Sequence, residues 1–189
     1  MDFLKTSKPI KMKINIIIFF VLISYSLNAQ KYFTRTGTTE FKASVAAFEP
    51  IMAKNNSTTV ILLSNTGDIA CQLFITAFKF PVSLMEEHFN ENYMESNIYP
   101  KATFRGKLID FDKHHLEDEY LLNGTITIKG IKKEIKTLVK IEFVNNSFKM
   151  SSTFTLQPKD FEIEIPNIVS KKIAEKINIT FNYELSEKK

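Results

Sequence analysis

The feature that most constrains this chain is strict alternation of apolar and polar residues, repeated in segment after segment. Ile177, Ile179, Phe181, Tyr183 and Leu185 alternate with Asn178, Thr180, Asn182 and Glu184. Phe148, Met150, Ser152, Phe154 and Leu156 are set against Lys149, Ser151, Thr153 and Thr155. In the run from Asp68 to Ile75, one face carries Ile69, Cys71, Leu73 and Ile75, the other Ala70, Gln72 and Phe74. Gly124–Ile128 and Thr137–Phe143 alternate as well. Side chains on a strand point to opposite faces in turn, so period two marks half-buried strands. The runs are joined by Asn65-Thr66-Gly67-Asp68, Lys129-Gly130 and Val144-Asn145-Asn146-Ser147, short polar connections that predict antiparallel hairpins. Asp112–Glu119 is a longer charged loop between strands at Phe104–Phe111 and Tyr120–Ile128.

These signals predict an all-β chain: an antiparallel, up-and-down barrel of about eight strands with one or two short helices. Closure is expected because open sheet edges invite aggregation. An interior of that size either packs solid or holds one small ligand. The first helix is expected over Ser83–Asn92, with Ser83 and Glu86 as a capping box and Met85, His88 and Phe89 on one face. A second is expected over Val169–Lys176, after Pro166, with Ile168, Val169, Ile173 and Ala174 as its apolar residues.

The N-terminal residues read differently. Lys11 and Lys13 precede an apolar run, Ile14–Leu22, and a more polar stretch ends in Ala29. Positive, then apolar, then small is the order of a secretory signal peptide, with Met12 a plausible start. The run is too short for a membrane span, which needs ~20 apolar residues. Cleavage is expected after Ala29, leaving one domain over residues 30–189, periplasmic or secreted. No cysteine stands at the cut, so no lipoprotein anchor is expected. Four of the 25 Lys+Arg (Lys5, Lys8, Lys11, Lys13) and one of the 21 Asp+Glu (Asp2) lie in the removed segment. The mature chain is therefore close to neutral and carries no electrostatic case for nucleic acid. Its single cysteine, Cys71, has no internal partner and is expected to be a buried, unreactive apolar side chain.

Three segments carry a family resemblance. Phe78-Lys79-Phe80-Pro81-Val82-Ser83-Leu84-Met85-Glu86-Glu87-His88-Phe89 resembles the F-x-F-x(4)-M-x-E-H-F segment of the YceI-like proteins. Tyr99-Pro100-Lys101-Ala102-Thr103-Phe104-Arg105-Gly106 resembles their Y-P-x-A-x-F-x-G strand. Gly124–Lys133 is similar to their G-x-L-T-I-x-G-V-x-K hairpin. Order and spacing agree, and the resemblance spans roughly residues 36–185. The first strand, Gly37–Ala43, lacks the family's usual histidines, and the absence of Trp removes the Gly-x-Trp signature of true lipocalins. The resemblance implies an exported, lipocalin-like barrel with an internal pocket for a polyisoprenoid or similar chain.

The partner expected on that basis is an amphiphilic lipid with an isoprenoid or acyl tail. No cofactor, catalytic residue or metal ligand is assigned, and a homodimer is compatible with the sequence. The candidate ligand-binding residues are Phe74, Phe78, Phe80, Met85, His88, Phe89, Tyr93 and Phe104. Phe78, Phe80 and Phe89 are expected to surround the mouth of the pocket beneath the Ser83–Asn92 helix. Two rivals stand beside this reading: a solid barrel whose loops bind a protein partner, and a hydrolase or isomerase using His88 and Glu87. No Gly-x-Ser-x-Gly elbow, His-Glu-x-x-His or phosphate-binding glycine loop supports catalysis. His114-His115, flanked by Asp110, Asp112, Glu117 and Asp118, reads as a solvated loop, because nothing fixes both imidazoles on one side. Asn55, Asn56, Asn123, Asn145 and Asn178 head Asn-x-Ser/Thr triplets, taken as chance matches.

Overall fold

The computed structural model describes residues 30–44 and 51–188. The export segment and its expected cleavage after Ala29 lie outside the described residues. Eight strands follow one another: β1 (Lys31–Ser44), β2 (Met52–Leu63), β3 (Asp68–Phe74), β4 (Lys101–Leu108), β5 (Glu119–Ile128), β6 (Ile131–Val144), β7 (Ser147–Leu156) and β8 (Ile173–Glu187). Each pairs antiparallel with the next, and β1 pairs with β8, so the sheet closes into an up-and-down barrel. The expected fold class is observed.

The turns follow from the residues that make them. Lys129 and Gly130 join β5 to β6 with φ of 48° and 77°, and Asn145 and Asn146 join β6 to β7 with φ of 53° and 61°. Two consecutive positive-φ residues match the twist of flanking strands, and Asn and Gly tolerate that region best. β1 must serve two neighbours around a tight closure. Its register shifts on both sides of Gly37 against β2, which bends the strand there.

β8 runs like a ruler down the interior. Ile177 and Ile179 are only half-buried, whereas Phe181, Tyr183 and Leu185 are buried. The lower end holds the termini of the barrel strands and the β2–β3, β4–β5 and β6–β7 connections. There Tyr32, Leu62, Leu108, Tyr120, Phe148 and Leu185 pack into a continuous core. Phe148 has its ring centroid 4.6 Å from Tyr32 and 4.7 Å from Phe143. The upper end holds the β3–β4 and β7–β8 connections, residues 75–100 and 157–172, and is not filled in this way.

The first helix expectation holds in extent but not in its cap, and the second needs correction. Helix α1 does occupy Ser83–His88 and widens into a π turn over Phe89–Tyr93, with Met94 N–H donating to Phe89 C=O at 2.9 Å. Its N-cap, however, is Val82, and no side chain caps it. Ser83 lies inside the first turn, and Glu86 is engaged elsewhere: its carboxylate accepts from Lys79 Nζ at 2.6 Å and from Phe80 N–H at 3.2 Å. The second helix, α2, is a single turn at Asn167–Ser170. Ile173 and Ala174 belong instead to β8, where Ile173 pairs with Ser44 of β1. Extended there, Ile173 pairs across the barrel seam, a pairing that one more helical turn would forgo.

Candidate functional site

The unfilled upper end is a chamber of about 380 Å³. Its wall is built from the inward parity of the strands: Phe41 from β1, Leu73 from β3, Ala102 from β4, Ile126 from β5 and Ile179 from β8 among them. Two segments close over it. From one side come Phe78 and Phe80, then α1 and its π turn. From the other comes the β7–β8 connection, in which Phe161, Ile163 and Ile165 face the chamber while Glu162 and Glu164 are exposed. A smaller chamber of about 90 Å³ continues below, lined in part by Cys71, Phe104, Phe181 and Tyr183. The two share Thr39, Leu73, Ala102, Ile126 and Ile179 as wall residues and so adjoin along the barrel.

Four phenylalanines organise the mouth. Phe41 stacks on Phe89 at 5.3 Å and 29°, and meets Phe78 and Phe80 edge-on at 5.3 and 5.6 Å. Phe89 lies 5.7 Å from Phe78 and 5.1 Å from Phe80. Offset and edge-on pairs of this kind contribute ~0.5–1.5 kcal/mol each beyond burial. They tie α1 to the barrel through rings, not through a packed helix face, and no residue of α1 is fully buried. Polar ties hold the rest of the segment. Lys79 pairs with Glu86 at 2.6 Å, Lys79 and Lys54 form an isolated antiparallel bridge, and Lys129 forms an ion pair with Glu95. The Lys79 ammonium and the Phe80 N–H hold the Glu86 carboxyl below the ordinary carboxylate range.

Of the eight residues expected to bind ligand, Phe78, Phe80, Met85, His88, Phe89 and Tyr93 stand on the upper chamber. Phe104 lines only the lower one. Phe74 does not face the interior. It is 47% exposed, with Lys101 Nζ 5.1 Å above its ring, because parity on β3 sends it outward while Leu73 and Ile75 point in. Phe41 and the opposite wall of Phe161, Ile163 and Ile165 were not among the candidates. The alternation Phe161-Glu162-Ile163-Glu164-Ile165 was the available signal for the latter.

The chamber is almost wholly apolar. Among the described residues its polar wall groups are Thr39, His88, Tyr93, Gln157 and Lys172, of which His88 and Lys172 are exposed. Glu87 does not line it, so Glu87 and His88 do not converge on one pocket. In the lower chamber Thr39 Oγ1 lies 2.8 Å from Thr58 Oγ1 and 3.0 Å from the Tyr183 hydroxyl, so the buried hydroxyls satisfy one another. Burial raises the Tyr183 pKa. Cys71 is half-buried, not fully buried as expected, and lines the lower chamber. Burial pushes its thiol up to about 12.

The His114-His115 loop is held locally. Asp112 accepts from the His114 N–H at 2.9 Å and lies 3.1 Å from His115 Nδ1. Among the described residues no three His, Cys, Asp or Glu side chains are grouped to hold a metal ion. No described helix is long and apolar enough to cross a membrane.

A closed eight-stranded antiparallel barrel with an apolar chamber under a short helical lid defines the class to which this chain is to be compared. The YceI-like domain model matches residues 23–185, and the chain belongs to that family. No curated protein matches its sequence. Among solved structures it is similar to a polyisoprenoid binding domain from Saccharophagus degradans implicated in plant cell wall breakdown, with a TM-score of 0.69 and 11% identity over 84% of this chain and 98% of that one. It is also similar to BcnA of Burkholderia cenocepacia, with a TM-score of 0.67 and 13% identity over 79% of this chain and 96% of that one. A third is the YCEI protein of Campylobacter jejuni, with a TM-score of 0.56 and 17% identity over 70% of this chain and 81% of that one. At these identities the likeness is one of fold.

Proposed function

We propose that this protein is an exported carrier that holds the apolar tail of an amphiphilic lipid, isoprenoid or acyl, in the upper chamber. The observation that carries the reading is a chamber of about 380 Å³ whose polar wall groups are few, with His88 and Lys172 the exposed ones among them. An apolar cavity large enough for a ligand gains ~0.8 kcal/mol for each methylene it takes out of water. Tail burial therefore suffices for affinity without a charged anchor inside. The head group stays at the rim, within reach of His88 and Lys172. The family, and a fold neighbour described as polyisoprenoid binding, support the same ligand class. A hydrolase or isomerase using His88 and Glu87 is disfavoured, because only His88 reaches the wall.

Mass spectrometry of an organic extract of natively purified protein tests the proposal. An isoprenoid or fatty-acyl lipid at near-stoichiometric yield is expected. An extract free of lipid, from protein that also takes up none when it is offered, would sink the carrier reading in favour of a barrel that binds a partner through its loops. Export is tested separately by the intact mass of protein from the extracytoplasmic fraction, which should begin at Gln30. A chain retaining Ile14–Leu22 would remove that part of the proposal.

A further inference from the structure

The lower end of the barrel is closed by the packed side chains of Leu62, Leu108, Phe148 and Leu185, so the chambers form a blind pocket and not a channel. Two of the rings that line its deep end sit in unusual seats. A Cβ placed on either Gly106 or Gly124, which are paired across β4 and β5, would lie 2.5 Å from Phe104 Cζ. A Cβ on Gly37 would lie 2.7 Å from Tyr183 Cδ1. The missing side chains of three glycines thus make room for two rings at this deep end. Neither ring is free to swing aside. Phe104 is held against backbone, and Tyr183 is stacked on Phe181 at 4.5 Å and 7° with its hydroxyl 3.0 Å from Thr39 Oγ1.

The volume of the two chambers can be put on a carbon scale. An apolar cavity of ~150 Å³ accommodates benzene, or roughly 25 Å³ per carbon. On that scale the 380 Å³ of the upper chamber takes about 15 carbons, and the 90 Å³ of the lower about four more.

We propose that Phe104 and Tyr183 form a fixed stop, so that this barrel selects amphiphiles with tails of about 15 to 20 carbons. Its ligands are then single-chain lipids of ordinary acyl length or of three to four isoprene units. Long polyprenyl chains must leave most of their length outside. This rests on the lipid-carrier reading and narrows it to a tail length. Phe104 and Tyr183 act as specificity-determining residues through shape alone.

The test is a displacement titration of delipidated protein with saturated carboxylates from decanoate to tetracosanoate, together with farnesol, geranylgeraniol and a long polyprenol. Affinity is expected to rise about fourfold per added methylene up to a break near palmitate or stearate, then to stay level. The long polyprenol should bind no better than geranylgeraniol. Phe104→Ala should move the break to longer chains, and Phe104→Leu should move it less while keeping β4 packed. Should Phe104→Ala fail to fold, Phe104→Leu decides. Affinity that climbs without a break, or a break left in place by the Phe104 variants, would overturn the stop while leaving the carrier intact. Failure of the wild type to bind any chain would overturn both.

Discussion

The two ends of the barrel are made from the same strands and the same alternation, yet they have been filled differently. At the lower end the inward residues are Tyr32, Leu62, Leu108, Tyr120, Phe148 and Leu185, and the rings interlock until no space is left. At the upper end the inward residues include Ala43, Ala102, Leu73, Ile126, Ile177 and Ile179, smaller on average, and they line a chamber instead of meeting. Six aromatic rings line it too, but Phe41, Phe78, Phe80 and Phe89 sit around the mouth, paired with one another, and Tyr93 and Phe161 stand on the segments that cover it. The contrast teaches that polar-in versus polar-out does not separate a binding barrel from a solid one. The size of the inward residue in each layer does, because a packed layer and a lined layer use the same residue types. A division of labour follows: the lower end supplies stability, and the upper end gives up part of its packing to hold a ligand.

The largest effect that tests this division is a truncation at the solid end. Phe148→Ala should cost about 3–5 kcal/mol, since it deletes a fully buried ring among neighbours that can only partly collapse into the gap. Phe80→Ala at the mouth should cost about 1–1.5 kcal/mol, because its ring is half-buried beside an existing void. Urea unfolding of both variants measures the difference. Equal losses would mean that the upper end carries as much of the stability as the lower one, and the comparison would collapse.

Much of this architecture was legible in the chain, and the misses have physical causes. Strand number, turns and closure followed from period two and from Lys129-Gly130 and Asn145-Asn146, because a half-buried strand leaves its parity in the sequence. Six of the eight wall candidates reach the upper chamber since the mouth residues fall close together, between Phe78 and Tyr93. Phe74 was placed by its aromatic ring when its own strand parity, shared with Ala70 and Gln72, pointed outward. The Ser83–Glu86 capping box failed because a carboxylate can serve one partner set, and Lys79 with the Phe80 N–H occupies it. The helix expected over Val169–Lys176 lost Ile173 and Ala174 to pairing across the barrel seam, a contact nearly 130 residues away in sequence that no local pattern records. The chamber itself was invisible, since its existence depends on volumes summed across eight strands.

A second test uses pH, and it probes the junction of the two ends. Burial raises the Cys71 thiol from 9.0 to about 12 in the folded state. Between those values the folded chain holds a proton that the unfolded chain has lost. Stability is therefore intact below pH 9 and falls as pH rises toward 12, by up to about 1.4 kcal/mol per pH unit. The raised Tyr183 pKa acts in the same direction above its ordinary value of 10. Cys71→Ala should flatten the part of the decline that begins near pH 9, and native Cys71 should resist a bulky thiol reagent at neutral pH. Rapid, stoichiometric labelling without denaturant would show that the lower chamber opens to solvent and is not a sealed continuation of the upper one.

The smallest effect separates tail from head at the rim. Phe89 stacks on Phe41 and lines the chamber, whereas His88 is exposed and reaches the wall only by its edge of the lid. If the tail carries the affinity, Phe89→Ala should weaken binding of a palmitoyl-length lipid about tenfold, equivalent to about 1.4 kcal/mol, while His88→Ala should change it less than about twofold. Stability should also fall in Phe89→Ala, by at least about 1.5 kcal/mol from the three lost ring pairs. A thermal melt without ligand establishes that term, so the binding loss can be read by itself. Calorimetric titration of both variants with one lipid then decides which residue matters. Unchanged affinity in Phe89→Ala together with loss of binding in His88→Ala would place the recognition on a polar group at the rim. In that case the hollow end would be a scaffold for head-group chemistry, and its apolar volume would not be the source of affinity.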